Sequence, residues 1–340
     1  MKKRITWVDW AKGLTILLVV CGHVTIGLFD QHYYTGFKQD LLLILVQALY
    51  GFHMPVFFAL SGYFFKTPSS WANYGQLIKK RSLALGIPYL FFSIFIFILM
   101  LLGGNQVRTQ VSWTTLFNIW QRPLGLMWFL YVLWALNVVF GALALWIKDI
   151  RWLFALALTA SLLANIWPSS IFCVQQVAIW SPCFLAGTLC RRYPLPQKKT
   201  IAGMLIISYC LLLFLWWQTN PTNRISYAQP GWQTCFFLIA ILIAFTIFPK
   251  GQAFADRHPY FTKAGQTSLG IYLFHVPVVS ACRWILNALN LHQLGIQLSL
   301  GLLLGWFGTR YLVHLWQKVP LLAWLLYPSF SHTQKGKLHD

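Results

Sequence analysis

The sequence predicts an all-α, polytopic integral membrane protein: a bundle of about ten transmembrane helices with both termini in the cytoplasm. Three observations carry this expectation. Of 340 residues, 58% are hydrophobic and 9% charged, with a mean hydropathy of +0.61, whereas a soluble domain carries about 25% charged residues. The chain reads as a series of apolar runs of about 18 to 22 residues, the length that crosses a hydrocarbon core of about 30 Å. Its basic residues, finally, gather in alternate loops.

In chain order the runs cover approximately residues 8–29, 41–65, 84–103, 126–147, 152–167, 171–190, 200–217, 233–248, 268–288 and 296–315. The fifth and eighth are short. When the loops between them are numbered alternately, one set holds Lys2, Lys3, Arg4, Lys66, Lys79, Lys80, Arg81, Lys148, Arg151, Arg191, Arg192, Lys198, Lys199, Lys250, Arg257, Lys263, Lys318, Lys335 and Lys337. The other holds Lys38, Arg108, Arg122, Arg224 and Arg283, while Lys12 and Arg310 fall inside or at the ends of spans. This asymmetry follows the positive-inside rule and requires an even number of crossings. The net charge of +20 is therefore read as topology and attraction to anionic membrane lipids, not as nucleic-acid binding. The first run is long, lacks a small-residue cleavage site and contains charges, so it is read as a retained span and not a signal peptide. The seven Cys fall within runs at no metal-ligand spacing, and neither a disulfide nor a metal is expected. Residues 1–340 form one membrane domain in this reading, with a cytoplasmic tail from about 318 to 340.

An ionisable side chain inside a span costs about 2.5 to 3.5 kcal/mol, so each is a functional hypothesis. The first span carries Asp9, Lys12 and His23. Lys12 and His23 are eleven residues apart, which at about 100° per residue places them within about 20° of one helical face and about 16 Å apart along the axis. Trp7 and Trp10 mark an interface, placing Lys12 near the inner leaflet and His23 in the outer half. Gly13 and Gly22 leave room for a neighbouring helix or a ligand. The blander alternative is an Asp9–Lys12 pair that neutralises itself and a His bonded across helices.

The second span contains Pro55, which frees a backbone carbonyl, with His53 and Ser61 adding polar atoms. Such a broken helix lines a cavity or is simply a kink with a Ser back-bond. Lys79, Lys80 and Arg81 precede the third span; they are either a positive-inside anchor or a site for a polyphosphate ligand. In the ninth span Ser268, Tyr272 and His275 share a face. Trp128 reads as an interfacial aromatic.

The segments "WVDWAKGLTILLVVCGH", "FHMPVFFALSGYFF", the basic run before "IPY", "LMWFLYVL" and "SLGIYLFH", in that order, resemble the acyltransferase 3 family of membrane acyltransferases, and most closely its fucose 4-O-acetylase-like subgroup. The resemblance implies a multi-pass bacterial plasma-membrane enzyme that moves an acetyl group from cytoplasmic acetyl-CoA to a hydroxyl of a surface or secreted polysaccharide. The acceptor would be a glycan or lipid-linked sugar. The family's basic residue and essential His of the first span correspond to Lys12 and His23. Of its two Arg at the start of the third span, Arg81 matches the first, but Ala84 stands where the second would be, so Lys79 or Lys80 would supply that charge. The chain contains no Glu, which excludes any glutamate-dependent variant of the chemistry, and no appended hydrolase-like domain is recognised.

On this reading His23 is the base or the acyl carrier, Asp9 orients Lys12, and Lys12 with Lys79, Lys80 and Arg81 meets the phosphates of coenzyme A. His53, Ser61, Tyr272 and His275 line the path or donate to the oxyanion. A proton-coupled transporter or glycan flippase would also suit ten spans with a polar stripe. Within the enzyme class, succinyl transfer is the alternative to acetyl transfer.

Overall fold

The computed structural model describes residues 5–104, 109–219 and 224–328. Lys2, Lys3, Arg4, Arg108, Lys335 and Lys337, and the tail from 329 on, lie outside the described residues.

Among the described residues the regular structure is helical throughout. The helices are α1 (Thr6–Phe29), α2 (Phe37–Gly62), α3 (Trp71–Arg81), α4 (Ile87–Gly103), α5 (Trp113–Phe117), α6 (Trp128–Trp146), α7 (Ile150–Ile166) and α8 (Phe172–Arg192). They continue with α9 (Lys199–Thr219), α10 (Thr234–Ile247), α11 (Gln252–Arg257), α12 (Pro259–Gln266), α13 (Ser268–Ala288), α14 (Leu294–Leu303), α15 (Thr309–Gln317) and α16 (Pro320–Leu326). Among the described residues eight helical stretches are long and apolar enough to cross a membrane, so the chain is a polytopic helical membrane protein. They correspond to eight of the ten expected spans. The fifth is the 17-residue α7, and the tenth is α14 running through a π turn at Leu304–Gly308 into α15. The third span is longer than its apolar run suggests. It begins at Trp71 and reaches Gly103 through a π turn at Ser82–Gly86, so the basic cluster Lys79–Arg81 is helical and not a loop.

The helices present apolar side chains outward where no protein covers them. On α4, Leu90, Ile94, Ile98 and Leu101 form one exposed stripe, and on α9 Met204, Ile207, Leu211 and Leu215 form another. Spacings of three and four residues put each set on one helical face, and in water such stripes would associate. Hydrocarbon is the solvent that suits them.

The chain divides into two compact units, residues 1–66 with 147–313 and residues 67–146 with 314–340. In the first, α1 packs on α2, α12 and α13, and α8 packs on α2 and α7. Two crossings are set by glycine pairs. A Cβ at Gly13 would overlap the Phe261 carbonyl of α12, and one at Gly265 would overlap the Asp9 carbonyl of α1. Likewise Gly62 of α2 faces the Phe184 carbonyl, and Gly187 of α8 faces the Ala59 carbonyl. Where no hydrophobic force drives helices together, such backbone approach maximises dispersion contact. Gly13 thus receives a helix, whereas Gly22 faces the imidazole of His53, whose Cε1 lies 3.0 Å from where a Cβ would stand. At the start of α7 the Asp149 carboxylate accepts from the Arg151 backbone N–H at 3.0 Å and pairs with its guanidinium at 2.7 Å, bonds that hold the Asp149 carboxyl below its usual range.

In the second unit Tyr74 of α3 fits against Gly141 of α6 and donates to the Val138 carbonyl at 3.2 Å. Trp134 Nε1 donates to Ser82 Oγ at 2.9 Å, a side-chain bond made inside the π turn. Tyr89 donates to the Ile119 carbonyl. Phe91, Phe92 and Phe95 of α4 surround the Trp316 ring at centroid distances of 6.0 to 6.1 Å.

Candidate active site

The first unit gathers three histidines from three helices. His23 of α1 lies with its ring centroid 4.8 Å from that of His275 on α13, edge to face, and 6.0 Å from Tyr50 on α2. Tyr50 in turn lies 4.8 Å from His53, one turn further along α2. His53 and His275 are 1% and 0% exposed, and His23 is half-buried. Tyr272 is buried beside His275, with the rings 5.8 Å apart.

A tyrosine from outside the helices completes the group. Tyr227, on the segment before α10, donates its hydroxyl to the Tyr50 carbonyl at 2.8 Å and lies 3.5 Å from His53 Nε2. It is held by Trp180 of α8, edge-on at 5.0 Å, which itself stacks between Phe58 at 4.8 Å and Phe237 at 5.0 Å. Helix α2 also receives Tyr209 Oη at the Ala48 carbonyl, 2.7 Å away. Phenol donors therefore reach the Ala48 and Tyr50 carbonyls in the two turns before Pro55, while the carbonyl that Pro55 leaves without its helix donor is that of Gly51.

The protonation of His275 follows from its partners. Its Nδ1 lies 2.7 Å from the Tyr272 carbonyl oxygen and 3.1 Å from that of Ile271. Carbonyls only accept, so in the neutral ring Nδ1 carries the proton and Nε2 carries the lone pair. That Nε2 is buried and has no hydrogen-bond partner. An unmet acceptor in a low-dielectric site costs about 1 to 3 kcal/mol, a cost that marks a place where a proton or a ligand is received. Despite three imidazoles, no group of His, Cys, Asp or Glu among the described residues has the geometry to hold a metal.

Of the other expected site residues, three lie in the first unit and three in the second. Lys12 extends along α1 away from the histidines, with Nζ 5.0 Å from the centroid of Phe64, just past the end of α2. Asp9 is buried at the α1–α12 crossing. Ser61 donates to the Phe57 carbonyl at 2.9 Å, the back-bond that its place after Pro55 allowed for. Lys79, Lys80 and Arg81 form the last turn of α3 in the second unit, and Ala84 lies within the π turn that follows. The structure thus brings together His23, His53, Tyr272 and His275.

Two members of the group escaped the sequence reading. Tyr50 precedes His53 by three residues, so helical spacing alone would have found it. Tyr227 had no such signal, because it enters from an irregular segment.

The chain belongs to the acyltransferase 3 family, whose acyltransferase domain it matches over residues 5–310. It is 28% identical over 145 residues to the nodulation protein NolL of Mesorhizobium japonicum, covering 41% of this chain and 37% of that protein. It is 35% identical over 83 residues to the nodulation protein NolL of Sinorhizobium fredii, covering 24% of this chain and 22% of that one. The chain thus spans well under half the length of these curated relatives. No solved structure matches it.

Proposed function

We propose that this protein is a membrane O-acyltransferase that moves an acetyl group from acetyl-CoA to a hydroxyl of a cell-surface or secreted glycan, or of its lipid-linked precursor. Membership of an acyltransferase family sets the reaction class, and the histidine cluster supplies what such a transfer needs. The observation that carries the reading is the buried His275 Nε2, open as an acceptor beside the ring of His23.

In this mechanism His23 takes the proton of the acceptor hydroxyl as its oxygen attacks the thioester carbon. The C–O bond forms, the C–S bond breaks, and the proton returns to the departing thiolate, so free coenzyme A leaves. His275 Nε2 is the acceptor that orients and backs the proton-bearing His23, as a second group orients the base in other acyl transfers. The hydroxyl of Tyr272, beside His275, is the donor for the tetrahedral oxyanion, while the Tyr227 hydroxyl is held on the Tyr50 carbonyl. Lys12 meets the donor's phosphates. The enzyme sits in the plasma membrane with both termini in the cytoplasm, and the same chemistry would carry a succinyl group if the acyl pocket admitted it.

The test is release of free thiol from acetyl-CoA by purified protein in vesicles supplied with an envelope glycan fraction. Thiol release that requires the glycan and disappears in His23→Ala is expected. Vesicles that move a solute yet consume no acyl thioester would replace the enzyme reading with a transporter.

A further inference from the structure

Near Lys12 the first unit holds a second grouping that the histidine chemistry does not use. Just past the end of α2, Tyr63 and Phe64 present two adjacent rings. Lys12 of α1 lies over Phe64 at 5.0 Å, and Arg191 from the last turn of α8 lies over Tyr63 with its guanidinium carbon 5.8 Å from the centroid. Arg191 Nη1 also donates to the Tyr63 carbonyl at 3.2 Å. The Tyr63 ring also contacts Trp7, edge-on at 5.2 Å, and Phe245 at 5.9 Å. Phe64 is 38% exposed, and Lys66 two residues on is exposed as well.

A positive-inside anchor needs only charge near the headgroups. Here the charge is pre-positioned. One guanidinium N–H is spent on a backbone carbonyl and the plane is held over a ring, so further N–H donors keep the fork geometry that suits a phosphate. An exposed aromatic face beside two cations is what a purine nucleotide requires, with the base stacking on the ring and the phosphates meeting the cations. The carboxylate nearest in sequence to Lys12 is Asp9, three residues away on α1.

We infer that Arg191, with the Tyr63–Phe64 step and Lys12, forms a recognition site for the nucleotide phosphates of the acyl donor, with Phe64 as its base-stacking face. Arg191 is a binding residue on this account and takes no part in the proton transfer. The inference rests on the proposed use of an acyl-CoA donor and adds a residue and a surface to it.

The test compares full-length protein with its Arg191→Gln variant, using acetyl-CoA and acetyl-pantetheine, which carries the same thioester without the nucleotide. Arg191→Gln should raise KM for acetyl-CoA about tenfold, with kcat near wild type, and leave acetyl-pantetheine turnover unchanged; tenfold corresponds to about 1.4 kcal/mol. Phe64→Leu should weaken coenzyme A binding in the same direction, and Arg192→Gln should not. An unchanged KM in Arg191→Gln, or equal losses with both donors, overturns the site while leaving the acyltransfer reading intact. Binding of coenzyme A without any turnover in the wild type does the reverse. A variant that loses retention on phosphatidylglycerol vesicles but keeps wild-type coenzyme A binding reassigns Arg191 to a lipid headgroup and overturns the site.

Discussion

His275 Nδ1 lies 2.7 Å from the carbonyl oxygen of Tyr272, three residues earlier on the same helix. The bond settles the tautomer and orients the ring, and it does so with a local backbone group that needs no further side chain. The consequence is a lone pair on Nε2, held inside the protein next to His23. Two residues later Pro277 stands inside α13, where it has no N–H to donate to the Leu273 carbonyl.

His275→Phe keeps a ring of similar bulk and removes the Nε2 acceptor. Acyl transfer should fall by about a hundredfold in kcat, the lower range for loss of acid–base assistance, with KM for the donor little changed. The His23→Gln, His275→Phe double variant should lose no more than the worse single one, because groups that act as a unit are not additive. Steady-state thiol release measures both. Additive losses would show that the two rings act separately.

Tyr227→Phe deletes one hydroxyl and leaves the ring on Trp180. The Tyr50 carbonyl loses its 2.8 Å donor, so stability should drop by about 1 kcal/mol, seen as a lower midpoint in a thermal unfolding assay of the detergent-solubilised protein. Activity should fall as well, since Tyr227 also neighbours His53. A midpoint equal to wild type would mean that the hydroxyl bond contributes nothing net.

Gly62→Val and Gly265→Val place side chains where a neighbouring helix has backbone carbonyls. Neither backbone can withdraw without separating a helix pair, so both variants should destabilise by more than the roughly 1 to 3 kcal/mol of ordinary overpacking. The yield of monodisperse protein by size exclusion reports it. Gly203→Val on α9, which meets open space, should retain the wild-type yield.

The alternation of basic loops predicts which segments face the cytoplasm. A cysteine at Gln197, between α8 and α9, should react with a membrane-impermeant maleimide only after cells are permeabilised. One at Ser226, between α9 and α10, should react in intact cells. Labelling in the opposite order would invert the topology and move the donor-facing side with it.

Much of the architecture was legible because membrane insertion is written in local composition. A run such as Val8–Phe29 is apolar enough to identify as a crossing from its residues alone. The π turn at Ser82–Gly86 was not legible. Its first residue, Ser82, accepts a hydrogen bond from Trp134, a residue far off in the chain. The first-span stripe was partly legible. Helical periodicity places Lys12 and His23 on one side, but their separation along the axis sends one to Phe64 and the other to His275.

From its sequence alone this protein is a multi-span helical membrane protein of the acyltransferase kind, because hydrophobic length, charge asymmetry and short motifs are all properties of contiguous residues. Tertiary structure alone decided that Tyr227 joins Tyr50 and His53, that Gly62 meets Gly187 across two helices, and that Arg191 lies over Tyr63. Each of these pairings joins distant parts of the chain, and how closely its partners approach is a quantity that no local pattern of residues encodes.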